Sequence, residues 1–254
     1  MMIASRHRWW PAATLAVTML GAWGLKRHYS LSSTDGLLFI LAPTERLVSL
    51  ASGIHFEYET GVGYLCRDSL FAIAKPCAGI NFMIAAWLMI GFVLAPRARG
   101  ALGAARIVAS SLALSYLASI VVNAARILIA LQLAAHPIVS DFWTAGRIHR
   151  LEGIAVYFAG LAMLHAAVSA GSAAKWMRSA AFPLFFYYAI VLGIPLVRGT
   201  HFDAGRPSEH AAFVLLVPLC LLLAIATARA MPAFARRAMN ARAARRRAAH
   251  LALH

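Results

Sequence analysis

The chain has 254 residues, of which 61% are hydrophobic and only 13% are charged, and its mean hydropathy is +0.71. An ordinary soluble domain carries about 25% charged residues. The composition therefore argues against a soluble Rossmann-type enzyme and a disordered chain, and three cysteines are too few for a disulfide-stapled secreted scaffold. We expect a membrane-embedded protein, in which the positions of the charges matter more than their net sum of +15.

The apolar runs predict several membrane-crossing helices. A span needs roughly 17 to 25 residues to cross about 30 Å of hydrocarbon, and six runs meet this need: 9–25, 76–95, 107–135, 151–171, 180–197 and 211–228. The first has no small-residue cleavage site after it, which predicts an uncleaved anchor. A further run, 37–53, contains Pro43, Glu45 and Arg46 and suits a re-entrant or interfacial helix better than a span. The predicted fold class is an all-α polytopic transmembrane bundle with about six to eight membrane segments.

The distribution of Lys and Arg predicts the orientation. Loops rich in these residues stay on the cytoplasmic side, which places there Arg6, Arg8, the 97–106 loop, the 175–178 loop and the tail. All 9 acidic residues then lie outside or near the outer surface. If 37–53 crosses, only the amino terminus changes side. The carboxyl terminus is therefore expected in the cytoplasm.

The domain organisation is simple. We expect one membrane-embedded domain, 1–230, followed by a basic cytoplasmic tail, 231–254. The Arg/Ala-rich tail is predicted to contact anionic lipid head groups. Contact of the tail with RNA is the alternative, but no nucleic-acid partner is expected.

The first reactive cluster is Lys75-Pro76-Cys77-Ala78-Gly79-Ile80-Asn81. Pro76 is typical of the first residue of a helix, which would place Cys77 in the first turn, where the macrodipole stabilises a thiolate. Asn81, four residues on, would share its face. The pattern predicts a cysteine nucleophile. The alternatives are a buried structural thiol and a disulfide with Cys66.

The second cluster is Asn123-Ala-Ala-Arg126. Arg126 lies 19 residues along the run that begins at Ile107, about 28 Å at 1.5 Å per residue, which places it level with Cys77 near the outer leaflet. An arginine inside the membrane is a functional candidate because burying it unpaired is costly. Asn123 lies on the same face and could orient a carbonyl or bond a neighbouring helix. The alternative for Arg126 is an interfacial side chain that reaches the head groups.

The third cluster is His149-Arg150-Leu151-Glu152-Gly153, at the outer end of the next span. A neutral imidazole there can accept the Cys77 proton or donate one to a leaving amine, and Gly153 leaves room for a backbone or a substrate. An interfacial histidine without a catalytic role is the alternative. His165, deeper in the same span, is expected to be a packed polar residue.

The three clusters, in this order on successive apolar segments, resemble the Cys, Arg and His motifs of the exosortases and archaeosortases. The resembling residues are Cys77-Ala-Gly-Ile-Asn81, Asn123-x-x-Arg126 and His149-x-x-x-Gly153, within a motif core of 66–170. The familiar block has Ser after the Cys, where this chain has Ala78. The resemblance implies a membrane cysteine peptidase or transpeptidase in a bacterial inner membrane, with its active site facing the periplasm. Its partners would be exported proteins that end in a short motif such as Pro-Glu-Pro, an apolar helix and a basic end.

The resemblance also implies a role for each residue. Cys77 would form the thioester, His149 would be general base and then acid, and Arg126 would stabilise the oxyanion or hold the substrate carboxylate. Asn81 and Asn123 would position the substrate. No metal or cofactor is expected.

Other function classes remain open. A transporter would spread polar groups through the membrane depth and favour an internal repeat, neither of which the sequence shows. A metal enzyme built on His149, Glu152, His201 or His210 lacks a His-Glu-x-x-His motif, and a serine hydrolase lacks Gly-x-Ser-x-Gly. A non-catalytic membrane assembly protein is the remaining alternative.

Overall fold

The computed structural model describes residues 9–67, 71–136, 140, 143–170, 179–197, 202–203, 206–207, 209–225 and 227. Within them the chain is mostly helical, as predicted. The helices are α1 (Trp10–Leu31), α2 (Leu38–Ser52), α3 (Ile80–Leu94), α4 (Ala101–Ala135), α5 (Ala145–Ser169), α6 (Ala181–Tyr188), α7 (Ile194–Val197) and α8 (Glu209–Ile225). A π-helical turn, Ala189–Gly193, joins α6 to α7. The basic tail, 231–254, lies outside the described residues.

Three helical segments of the described chain are long and apolar enough to cross a membrane: Lys75–Arg97, Ala101–Ala135 and Ala145–Ser169. They match three of the predicted spans. Two further apolar helices, Ala181–Gly193 and Glu209–Ile225, are shorter, with 13 and 17 residues. Helix α1 has 22 residues but carries Lys26 and Arg27. The chain thus has the apolar helices of a membrane protein, whereas the full count of six to eight segments is not confirmed.

A small antiparallel sheet departs from the all-α expectation. Strands β1 (Glu57–Glu59), β2 (Gly63–Cys66) and β3 (Phe71–Ile73) pair in the order β1-β2-β3. A two-residue pair, Phe202–Asp203 with Arg206–Pro207, forms a second hairpin. Strands this short contain too few residues to show a period of two in the sequence, so the prediction of an all-α fold is wrong for these segments. The end of β3 leads directly into the turn that holds Cys77.

The segment 37–53 forms helix α2 despite its internal proline. Pro43 has no N–H for the carbonyl of Phe39, and the Tyr116 hydroxyl of α4 donates to that carbonyl instead, at 2.6 Å. One face of α2 is fully buried through Ile40, Leu41 and Val48. Its 15 residues extend about 22 Å, less than the thickness of the hydrocarbon core. Its length therefore fits the re-entrant or interfacial interpretation.

Helix α3 lies at the centre of the core and packs against α1, α4, α5 and α6. Close approach to α1 depends on small residues, because a Cβ at Gly21 would lie 2.3 Å from the Trp87 ring. Along α4, Ser111, Ser115, Ser119 and Asn123 recur every four residues and are fully buried. Ser111 accepts a hydrogen bond from the Trp87 indole of α3 at 3.2 Å. Small polar residues at this spacing let two apolar helices approach closely.

Candidate functional site

Cys77 lies in a short turn between β3 and α3. Residues Lys75–Cys77 form one 3₁₀ turn, in which the Cys77 N–H donates to the Ala74 carbonyl at 2.7 Å. Helix α3 begins only at Ile80, after Gly79. The prediction that Cys77 belongs to the first turn of the membrane helix, with Asn81 on its face, is therefore wrong. Pro76 starts a separate turn, and the free N–H groups at the start of α3 belong to the residues after Gly79.

Gly79 separates this turn from α3 because its backbone is left-handed, with φ of +66°. Residues with a Cβ rarely adopt this conformation. A Cβ here would also lie 3.2 Å from both Asn123 Cγ and Ser119 Oγ. The Ser119 hydroxyl donates to the Gly79 carbonyl at 3.3 Å. Gly79 thus sets the distance between the Cys77 turn and α4.

We expect Gly79→Ala to lower the free energy of unfolding by about 1–3 kcal/mol, the usual range for one strained residue. The added methyl group must also push Asn123 away from the turn. Thermal unfolding of the purified protein, compared with Gly103→Ala, where a Cβ would meet open space, measures this effect. Equal melting temperatures for the two variants would show that the conformation of Gly79 places no constraint on the turn.

The Cys77 side chain is half-buried, and its thiol lies 3.8 Å from the Ala72 carbonyl oxygen. It is also within electrostatic range of Arg126 and Tyr157. No disulfide joins it to Cys66 on β2, so the bridged alternative is not the state of this structure. Among the described residues, the thiol makes no hydrogen bond to His149.

A chain of hydrogen bonds runs from the Cys77 backbone to His149. The Asn123 amide donates to the Cys77 carbonyl, and Asn123 Oδ1 accepts from the Tyr157 hydroxyl at 2.7 Å. Arg126 Nη1 donates to the same hydroxyl at 3.2 Å, and Nη2 donates to His149 Nε2 at 2.9 Å. The structure therefore brings Arg126, His149 and Asn123 together and links them to the Cys77 turn through Tyr157.

The hydrogen bond from Arg126 determines which nitrogen of His149 carries the proton. A guanidinium can only donate, so Nε2 of a neutral His149 accepts and Nδ1 is protonated. Nδ1 lies 3.7 Å from Glu152 Oε2, one turn further along α5. Thr144, the N-cap of α5, accepts from the Arg147 N–H at 3.3 Å and starts the helix one turn before His149.

Arg126 and Glu152 form a buried ion pair, with 3.9 Å between Nε and Oε2. Their side chains are 9% and 4% exposed. Within the described part of the chain, neither the Arg126 Nε nor the two Glu152 oxygens have a hydrogen-bond partner. Gly153 makes room for the guanidinium, since a Cβ there would lie 3.1 Å from Arg126 Nε. The space at Gly153, predicted to accommodate a backbone or a substrate, is therefore occupied by the Arg126 side chain.

A cavity of about 230 Å³ lies beside this network. Its wall includes Pro76, Asn81, Arg126, His149 and Tyr157, whereas Cys77 itself does not line it. Asn81 is exposed and accepts from the Lys26 ammonium at 2.6 Å. It therefore stands at the cavity wall, next to α1, and not in the network that holds Cys77.

Sequence reasoning missed the central role of Tyr157 and treated Glu152 only as a metal ligand. A signal was present, because residues 149, 153 and 157 recur every four positions and share one face of α5. His165, further along α5, is buried and stacks on the Phe182 ring at 5.5 Å, which confirms the expectation of a packed residue. No group of three or more His, Cys, Asp or Glu residues that could hold a metal ion occurs within the described ranges.

We expect Tyr157→Phe to reduce the peptidase activity predicted from the sequence about tenfold or more. The free energy of unfolding should fall by about 0.5–1.5 kcal/mol, the net value of one hydrogen bond. The variant removes the hydroxyl that joins Asn123 to Arg126. Tyr116→Phe is the matched control, because it removes a hydrogen bond between α4 and α2 instead. Comparable activity losses in the two variants would contradict a specific role for Tyr157.

Comparison of the chain with protein-family models, with curated proteins and with solved structures returned no match. The family resemblance therefore stays a prediction drawn from the three motifs.

Proposed function

We propose that the chain is a membrane cysteine endopeptidase or transpeptidase of the exosortase type. The observation that carries the proposal is the hydrogen-bonded chain from the Cys77 carbonyl through Asn123, Tyr157 and Arg126 to His149. Three motifs separated by tens of residues meet there. Buried polar groups are costly unless they are paired. Helices that served only to span the membrane would therefore not be expected to bring these polar side chains together.

The proposed setting is a bacterial inner membrane crossed by six to eight segments. The site faces the periplasm and the basic tail lies in the cytoplasm, near anionic lipids. The substrates are exported proteins with a carboxy-terminal motif, an apolar helix and a basic end. The cavity of about 230 Å³ is smaller than the 300–1,000 Å³ of a typical small-molecule pocket. We therefore propose that it holds only a short extended stretch of the substrate polypeptide.

In the proposed reaction, the Cys77 thiol rotates from the Ala72 carbonyl towards the cavity. The hydrogen bond from Arg126 Nη2 to His149 Nε2 breaks, and Nε2 then accepts the thiol proton. The thiolate forms a bond to the scissile carbonyl carbon, and the C–N bond then breaks as His149 returns the proton to the leaving amine. Water or an amine of the acceptor attacks the thioester and releases the thiol. His149 can serve this step because its side chain is 47% exposed.

Arg126 supplies the positive charge in this reaction. Two of its five N–H groups are used, one by Tyr157 and one by His149. The remaining groups can donate to an oxyanion or to a substrate carboxylate. Glu152 balances the buried charge, and its Oε2 lies 3.7 Å from Nδ1 of His149, so we assign it as a positioning residue.

The polar residues of α4 do not favour a transporter. Ser111 and Ser115 donate to carbonyls of their own helix at 3.0 and 2.8 Å, and both are fully buried. Their hydroxyl groups therefore stabilise helix packing and do not line a polar path. Within the described residues, no observation favours the assembly-protein alternative over the peptidase.

The test is mass spectrometry of a secreted reporter that ends in Pro-Glu-Pro, an apolar helix and a basic segment. The reporter is expressed with the native chain, with His149→Ala or without either. Cleavage at the motif only with the native chain is the expected result, and added mass at the new carboxyl terminus would identify the acceptor. Equal cleavage with His149→Ala would contradict the assigned base.

A further inference from the structure

A second cavity, of about 520 Å³, lies between α1, α3 and the segment after α6. Large side chains on α1 beside it are exposed: Met19 is 55%, Trp23 63% and Leu31 75% exposed. The inner wall is also apolar and is formed by Ile84, Leu88, Ile190 and Ile194. We call this cavity the α1 groove. In a chain that lies in a membrane, such a surface faces lipid.

One end of the α1 groove is cationic. Lys26 and Arg27 line it together with Ser30. The Arg27 guanidinium lies 5.7 Å from the Trp23 ring, and the ammonium groups of Lys26 and Lys75 lie 5.5 and 5.4 Å from the Tyr29 ring. Neither Arg27 nor Lys75 forms a salt bridge with a described carboxylate. Apolar walls that end in a cluster of positive charge complement an anionic amphiphile.

The apolar part of the α1 groove fits within one leaflet. Along α1 it runs from Met19 to the cationic end at Lys26, 7 residues and about 10 Å, which is less than half of the 30 Å hydrocarbon core. A transmembrane peptide would need a groove along the full thickness. An acyl chain with its head group at the surface needs only one leaflet. The dimensions therefore favour a lipid over a peptide.

The cationic end lies beside the candidate active site. Lys26 donates to Asn81, which lines the smaller cavity. A phospholipid bound here would therefore lie at the membrane surface on the Cys77 side.

We propose that the α1 groove binds one anionic phospholipid from the leaflet on the Cys77 side. One acyl chain packs along α1 and α3, and the phosphate lies between Lys26 and Arg27. This inference concerns a separate site and does not depend on peptidase activity.

The experiment is native mass spectrometry of the purified full chain, titrated with phosphatidylglycerol or with phosphatidylcholine of the same acyl chains. We expect one tightly bound phosphatidylglycerol and much weaker binding of phosphatidylcholine. In Lys26→Gln with Arg27→Gln, binding should weaken about 30-fold, because each cation near the surface contributes roughly fivefold. The matched control is Arg97→Gln with Arg99→Gln, which removes two exposed charges beyond the other end of α3 and should retain the bound lipid.

A second pair of variants tests the apolar wall. Leu88→Trp fills the groove and should abolish tight binding, whereas Leu117→Trp, at an exposed position of α4, should not. Equal retention of both lipids, or unchanged binding in Lys26→Gln with Arg27→Gln and in Leu88→Trp, would overturn the proposal. A co-purifying apolar peptide that competes with the lipid would do so as well. Because none of these readouts is proteolysis, they are independent of the reporter assay.

Discussion

Cys77→Ala is expected to abolish reporter processing, with a loss of at least about 10³-fold. The variant removes the atom that forms the thioester, and loss of a covalent nucleophile is among the most damaging changes to such an enzyme. Stability should change little, because the side chain is half-buried and its thiol has only a 3.8 Å contact with the Ala72 carbonyl. The measurement is the ratio of cleaved to intact reporter at matched levels of membrane-inserted protein.

Cys220→Ala and Cys77→Ser provide the controls. Cys220 is exposed on α8, so Cys220→Ala should process the reporter at the native rate. Cys77→Ser tests the nucleophile itself, because a hydroxyl keeps the shape but ionises far less readily than a thiol. Full activity in Cys77→Ala would end the peptidase proposal, and a loss confined to Cys220→Ala would place the nucleophile on α8.

Replacing Arg126 is expected to damage both stability and activity. Arg126→Met leaves Glu152 buried without its counter-charge, and breaking a buried pair in this way costs about 3–5 kcal/mol. The variant also removes the donors to Tyr157 and His149. We expect a large fall in melting temperature and no detectable processing. Arg106→Met, at an exposed position on the same helix, controls for the loss of one charge from α4.

A double variant separates the two effects. Arg126→Met with Glu152→Gln removes both buried charges, so much of the lost stability should return. Processing should remain absent, because the guanidinium is still missing from the site. Recovery of both stability and processing would mean that Arg126 acts only in packing, and its proposed role at the oxyanion or carboxylate would be wrong.

The helices of the core follow from composition and length. Runs of apolar residues longer than 17 predicted all three membrane-length helices, because burial in lipid demands a continuous apolar surface. The same residue-level reasoning identified Asn123, Arg126 and His149, since polar groups in such runs need partners. The structure brings these three side chains together. This reasoning could not predict that segment 37–53 packs against α4, nor that the small sheet forms. Neither feature has a periodic pattern of its own in the sequence.

What the sequence by itself determined is which segments are helices and which polar side chains those helices carry. Only the tertiary structure decided how they meet. The left-handed backbone of Gly79 separates Cys77 from α3. In the resulting turn, the Cys77 carbonyl faces Asn123 and accepts from its amide. Tyr157 and Glu152 become partners of Arg126 because α4 and α5 approach closely at Gly153. These contacts join residues far apart in the chain, and spacing along one helix carries no information about distances between two.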